Sequence, residues 1–225
     1  MSGMTGAAKG SVAAGDAIAR RVAPLRTVQP RARATRDALL SAGRVLLEDR
    51  DFDALSIAEL AGATGLSVGS FYGRFHDKAS FFVLLQEQVT AEWLEHARDL
   101  LARLADTRSA AHVVDAVCAT AVALFRRDRG FVRAVLKHAS NHPGGWTLMR
   151  RTGEVFGGEM VTALSPRLIH LGPAEREPRI RFAMQMLFGT LVNAVLNDPG
   201  PIRLADTRLE RELARTVSAY LGIED

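Results

Sequence analysis

From about Thr35 to the C-terminus, apolar residues return every three or four positions, and no stretch alternates apolar and polar residues in the manner of a strand. The fold class read from this pattern is all-α. Leu39, Ala42, Leu46 and Leu47 form the buried stripe of a first helix ending near Glu48, and Phe52 in the acidic turn at 49–53 is placed to plug the core. Ser56 followed by Glu59 is a capping box, with Leu55 and Leu60 at the spacing of a hydrophobic staple, so a second helix starts at Ser56. Thr64 and Gly65 end it, the glycine suiting the left-handed residue past a helix terminus. Ser67 then caps a third helix reaching about Phe75, and Leu66 with Phe71 repeats the staple. Only about three residues separate these two helices, which forces a steep crossing. Ala58, Ala61 and Gly62 are small enough to permit the approach, while Ile57, Leu66, Phe71 and Phe75 fill the space between.

Asp77 is the expected N-cap of a long helix whose apolar face runs through Phe81, Leu85, Val89, Trp93, Ala97, Leu100 and Leu104. Further helices are predicted at about 109–128, 130–140, 146–164, 174–197 and 206–221, separated by turn-rich segments such as 141–145 and 198–201. The helix at 174–197 is apolar nearly all round, including Phe182, Met184, Met186, Leu187 and Phe188, and so needs cover on more than one side. The last helix carries a stripe of Leu209, Leu213, Val217 and Tyr220. Together the last two either complete the monomer's own core or supply half of a four-helix interface between two copies.

The turn between the second and third helices has a chemical consequence. The major groove of DNA admits one α-helix and displays a distinguishable code there, so an outward-facing second helix of such a pair is a reading device. With Phe71 and Phe75 inward, Gly69, Ser70, Tyr72, Gly73 and Arg74 lie largely on the open side. Ser67 and Ser70 can donate to a phosphate or base edge, Tyr72 can lie along the sugar-phosphate backbone, Arg74 can pair bidentately with guanine, and Lys78 stands at the start of the next helix. The bland alternative is a packed three-helix unit with Tyr72 and Lys78 as ordinary surface residues.

The runs Ser56-Ile57-Ala58-Glu59-Leu60-Ala61, Gly65-Leu66-Ser67-Val68-Gly69-Ser70-Phe71-Tyr72 and Phe75-His76-Asp77-Lys78 resemble the DNA-binding domain of the TetR family over roughly residues 33–85. The resemblance implies an N-terminal three-helix DNA-binding domain with a helix-turn-helix and a C-terminal helical ligand-binding and dimerisation domain. It implies that 67–75 is the recognition helix and that Ser56, Ser67, Gly69, Ser70, Tyr72, Arg74, His76 and Lys78 form the DNA-binding set. Val68 and Gly73 depart from the family pattern, standing where longer polar side chains are common, and a mid-helix glycine costs about 1 kcal/mol relative to alanine. The expected domains are a disordered basic arm at 1–32, the helix-turn-helix domain at 33–80 and a ligand-sensing and dimerisation domain at 81–225. The expected function is a sequence-specific transcriptional regulator, in the family's commoner mode a repressor. It would bind a palindromic operator on double-stranded DNA as a homodimer through the last two helices and be released by a small molecule. In the family's mechanism that molecule shifts the long connecting helix. The departures keep open an alternative, a helical interaction protein that has lost specific DNA binding.

Composition modifies this picture in a few places. The net charge is +4, but residues 1–36 hold Lys9, Arg20, Arg21, Arg26, Arg31, Arg33 and Arg36 against Asp16 alone, which gives that segment +6 and leaves −2 for the rest. Such an arm attracts polyanions by counterion release, or is only a solubilising tail or an over-early start. Residues 37–80 carry −3, so attraction there must come from local placement. Cys118 is the only cysteine, which excludes an internal disulfide and suits a reducing compartment. No membrane-spanning stretch and no secretory signal is seen, so a cytoplasmic location without membrane association is expected.

Chemistry in the C-terminal part is sparse. Trp93, Phe125, Phe131, Trp146, Met149, Phe156, Met160, Met184 and Phe188 are an aromatic and methionine set that either lines a pocket for an apolar or aromatic effector or is plain core. His138 and His142 are four apart, but no third ligand is evident, so neither a metal site nor a cofactor is expected. With no glycine-rich phosphate loop, nucleophile elbow or clustered His and carboxylates, the chain is not expected to be an enzyme.

Overall fold

The helix signals set out above are realised in a computed structural model that describes residues 30–142 and 144–224, all helices and connecting turns. The expected basic arm lies almost wholly outside the described residues. Helices are α1 (Pro30–Leu46), α2 (Ile57–Ala63), α3 (Val68–Tyr72), α4 (Lys78–Arg103), α5 (Ala110–Arg127), α6 (Arg129–Asn141), α7 (Thr147–Leu164), α8 (Pro173–Leu196) and α9 (Leu209–Leu221), with a 3₁₀ turn at Ser165–Arg167. The chain falls into two units that divide between Gln88 and Val89, within α4.

In the first unit α1 begins at Pro30, five residues before the expected start, because proline suits a first turn whose amides lack partners anyway. Its buried side is Leu39, Leu40 and Gly43, with Leu47 just beyond, while Ala42 and Leu46 are only half-buried. Gly43 is there for space: a Cβ on it would stand 2.5 Å from Phe81 Cζ, so only hydrogen allows α1 to meet the first turns of α4. Phe71, Phe75 and Phe81 pack with centroids 5.0–5.7 Å apart, and Phe52 stacks on Phe82 at 3.9 Å. Phe52 is the plug its position suggested.

The caps follow the sequence grammar. Glu59 N–H donates to Ser56 Oγ at 3.1 Å, and Ser56 N–H to Glu59 Oε2 at 2.8 Å, completing the capping box. At the other end of α2, Leu66 N–H donates to Ala61 O and Gly65 N–H to Gly62 O, with Gly65 at φ +69°, the paired bonds of a Schellman motif. Asp77 and Ser80 cap α4 reciprocally: Ser80 N–H donates to Asp77 Oδ1 at 2.7 Å and Asp77 N–H to Ser80 Oγ at 3.0 Å. Two expectations are corrected. Ala58 and Gly62 are exposed, so of the three small residues expected to let α2 and α3 approach only Ala61 is buried. α3 stops at Tyr72, with Gly73 as its C-cap, because glycine is a poor helix former and the chain must turn to set Asp77 as the next cap.

In the second unit α5 packs chiefly on α9, α8 on α7 and α9, and α6 on α8. Two arginines, unremarked in the sequence, tie its loops. Arg126 donates to Leu204 O (2.7 Å), Asp206 O (2.8 Å) and Glu210 Oε1 (2.6 Å). Arg167 donates to Thr107 O, Leu104 O and Ala105 O at 2.9–3.0 Å and also to Ala163 O, holding the end of α4 to the end of α7. Both use the planar fork of guanidinium to satisfy carbonyls that end a helix or bridge a loop.

Candidate DNA interface and ligand cavity

α3 is amphipathic by construction. Phe71 is wholly buried, whereas Val68 (43% exposed) and Tyr72 (51% exposed) stand one turn apart on the open side. Gly69 and Gly73 are exposed there too, with no side chain but Ser67 Oγ close to where a Cβ would sit on Gly69. Of the residues expected on the outward face, Gly69, Tyr72 and Gly73 are exposed and Ser70 and Arg74 are half-buried.

The polar residues expected on this face are mostly engaged within the chain. Ser67 Oγ accepts Ser70 N–H at 3.2 Å and shares a 3.0 Å hydrogen bond with Ser70 Oγ. Ser56 Oγ donates to Glu59 Oε2 at 2.7 Å, so its role is the cap of α2. Arg74 turns back: its Nε donates to Ala32 O at 3.2 Å and Nη1 to Gly73 O at 3.0 Å. Lys78 Nζ donates to Asp53 O at 3.0 Å and sits 4.6 Å from the centre of the Phe52 ring. Partial burial pushes the Lys78 ammonium below the ordinary lysine value, against the opposing pull of Asp53 and Glu59. His76 and Tyr72 are exposed. Glu59 is held below the ordinary glutamate value by the Ser56 backbone N–H, the Ser56 hydroxyl and Arg50.

The second unit contains a cavity of about 510 Å³ with a predominantly apolar lining. Trp93, Phe125, Trp146, Met149, Phe156, Met184 and Phe188 of the expected set line it. Phe131 and Met160 do not; both are wholly buried core, Phe131 edge-on to Trp93 at 6.2 Å. Trp93, Phe125 and Phe188 form a row with successive interplanar angles of 30° and 29° and centroids 5.4 and 6.0 Å apart, and Phe156 meets Phe188 edge-on. The sequence did not single out Arg150, Gly153 and Arg181 at the cavity; Gly153 and Arg150 share an α7 face with Trp146 and Met149 at helical spacing, the signal that would have found them.

Trp93 is fixed by Asp128, which is wholly buried at the junction of α5 and α6. Cys118 is buried in α5, and desolvation, helped by Asp115, pushes its thiol up to about 12. His138 and His142 stack at 3.9 Å with His142 Nδ1 2.9 Å from His138 O, and no group of three or more potential metal ligands forms among the described residues. No helix among the described residues is long and apolar enough to cross a membrane.

On the outer side of the last two helices, Phe182 (45% exposed) and Tyr220 (36% exposed) lie 5.5 Å apart, and along the predicted stripe Leu209, Leu213 and Val217 are buried.

Comparison with known proteins follows this division. Residues 39–85 match the family described as bacterial regulatory proteins, tetR family, and residues 109–221 match the tetracyclin repressor-like C-terminal domain. Among solved structures, a putative TetR-family transcriptional regulator from Mesorhizobium loti is similar with a TM-score of 0.72 at 15% identity, over 87% of this chain and 98% of that one. A tetR-family transcriptional regulator from Streptomyces coelicolor follows with 0.64 at 18% identity, over 85% and 82%, and a transcriptional regulator from Rhodococcus with 0.64 at 19%, over 83% and 96%. No curated protein sequence matches. The matched C-terminal domain alone spans half of the chain, and with the helix-turn-helix match ahead of it the conclusion is direct: the chain belongs to the tetR family of bacterial regulatory proteins, DNA-binding transcription regulators built on a helix-turn-helix.

Proposed function

We propose that this regulator is a repressor that binds a palindromic operator as a homodimer and lets go when a flat, apolar or aromatic molecule fills the cavity of the second unit. The observation that carries the reading is that one helix, α4, both follows the helix-turn-helix in the chain and lines the cavity. Trp93, Leu94, Ala97, Leu100 and Leu101 of α4 line the cavity, and the first turn of the same helix follows α3 directly in the chain. A ligand that prefers one position of those residues biases a two-state equilibrium by the difference in its two affinities.

In this reading the open face of α3 enters the major groove, with the Tyr72 hydroxyl and the exposed His76 toward the backbone phosphates and Gly69 allowing close approach. Ser67 and Ser70 reach DNA only by sharing the hydrogen bonds they make with each other, and Ser56 acts as a cap. Arg74 and Lys78 contact DNA only by leaving Ala32 O and Asp53 O. The dimer forms through the outer faces of α8 and α9, with Phe182 and Tyr220 as its apolar contacts, and places two α3 helices about 34–36 Å apart, one turn of DNA. The protein carries no catalytic role.

The rival reading, an interaction protein without specific DNA binding, draws on those same internal bonds of Ser67, Ser70, Arg74 and Lys78. Anisotropy titrations of the full chain separate the two. The probes are duplexes enriched by the protein from a random-sequence library, their scrambled counterparts and a salt series. A regulator prefers the enriched palindrome, loses affinity as salt rises, and is weakened by Tyr72→Phe. Equal binding of enriched and scrambled duplexes at every salt concentration would overturn the proposal.

A further inference from the structure

The chemistry available on α3 restricts what it can read. Its five residues, Val68, Gly69, Ser70, Phe71 and Tyr72, include no Arg, Lys, Asn, Gln, Asp or Glu, the side chains that pair bidentately with guanine or adenine or accept from cytosine. The nearest arginine, Arg74, lies beyond the helix and is bonded to Ala32 O and Gly73 O. The two serine hydroxyls share one hydrogen bond, and a hydroxyl, both donor and acceptor, does not discriminate between bases. What α3 presents freely at its N-terminal end, where a recognition helix meets base edges, is the isopropyl group of Val68, 43% exposed and flanked by the bare backbone of Gly69.

An apolar branched side chain in the major groove has one complementary feature there, the C5-methyl of thymine. Exposing a valine on a surface helix between a capping serine and a glycine gains nothing for the fold, since β-branched residues are mediocre helix formers. Gly69 matters to the same contact: without a Cβ, the backbone beside Val68 can come down to the groove floor.

We infer that Val68 is the specificity-determining residue of this regulator and that it selects operator half-sites by contact with a thymine methyl group. The inference rests on the proposed DNA-binding role of α3 and names the base chemistry that role uses. Tyr72, one turn along the same face, positions the helix on the backbone and does not read sequence.

The test uses deoxyuridine, which keeps every hydrogen-bonding group of thymidine and lacks only the methyl. The full-length protein enriches duplexes from a random-sequence library, and each thymine of the enriched half-site is replaced in turn by deoxyuridine. One position per half-site should lose affinity by about fourfold, the factor corresponding to one buried methyl group. Val68→Ala should bind the thymine and deoxyuridine duplexes equally at that position and match the parent on the deoxyuridine duplex. Val68→Thr, which keeps one methyl, should retain part of the discrimination. Unchanged thermal melting of both variants confirms that the exposed site was altered without loss of fold. Discrimination that persists in Val68→Ala, or enriched half-sites in which no thymine is methyl-sensitive, overturns the inference while leaving DNA binding intact. Failure to enrich any sequence overturns the DNA-binding proposal and this inference with it.

Discussion

The indole of Trp93 donates to Asp128 Oδ2 at 2.7 Å, and the same carboxylate oxygen accepts Arg127 Nε at 3.2 Å and Nη2 at 3.0 Å. Asp128 is wholly buried, where a polar group without hydrogen-bond partners is costly. Asp128→Ala should cost about 1.5–3 kcal/mol, the range for hydrogen bonds to a charged group, with Asp128→Asn costing less because it keeps an acceptor for the indole. Urea unfolding followed by tryptophan fluorescence checks this; a loss below about 0.5 kcal/mol for the alanine variant would show that the indole is held by packing alone.

The cavity makes a separate prediction at Gly153. Nothing lies within 4 Å of where its Cβ would stand, although it sits mid-helix on the cavity wall. Gly153→Ala should raise stability by about 1 kcal/mol through helix propensity, and Gly153→Leu should add a side chain to the cavity. Binding of the neutral fluorophore N-phenyl-1-naphthylamine, read by quenching of Trp93 and Trp146, should be retained in the first variant and weakened at least about tenfold in the second, the loss that corresponds to 1.4 kcal/mol. Equal affinities would place the apolar site elsewhere.

For the dimer, Phe182→Glu puts a charge where the proposed interface needs apolar contact, 5.5 Å from Tyr220. Light scattering at micromolar protein should show a shift toward monomer with unchanged helix content. A dimer that survives Phe182→Glu, and Tyr220→Glu after it, would exclude this face.

Glu59 sets an acid limit on the helix-turn-helix. Its carboxyl is depressed by the Ser56 amide and hydroxyl, so the stabilisation it provides is present above its unfolded-state pKa and disappears as pH falls through the lower folded value. The loss belongs below about pH 4.3, the ordinary glutamate value. Melting temperature against pH should fall less steeply there for Glu59→Gln, which keeps a capping side chain but does not titrate. Parallel curves for the two proteins would show that Glu59 contributes no acid sensitivity.

Cys118 should be chemically silent. Burial pushes its thiol up to about 12, so almost no thiolate exists at neutral pH. Reaction with a disulfide reagent at pH 8 should proceed only as fast as the protein unfolds. Rapid stoichiometric labelling of the folded chain would reopen a redox role.

Local rules made most of the helices legible. The box at Ser56 and Glu59, the glycine at 65 and the cap at Asp77 act over three or four residues, and periodicity put the C-terminal helices within a few residues of their observed bounds. What was hidden depends on distant partners. Gly43 looks like any helix glycine until Phe81 is seen against it, and Asp128 reads as a surface turn residue until Trp93 reaches it. Arg74 shows the same limit at the candidate site: its sequence position suits a base reader, but Ala32 O, 42 residues away, occupies its Nε. Phe131 and Phe125 are alike in sequence, and only packing sends one to the core and the other to the cavity wall.

The grip of Arg167 on Leu104 O, Ala105 O and Thr107 O immobilises one tip of a rod 26 residues long. At 1.5 Å per residue Trp93 stands about 15 Å from the held tip, so the stretch of α4 that walls the cavity is tethered at its base.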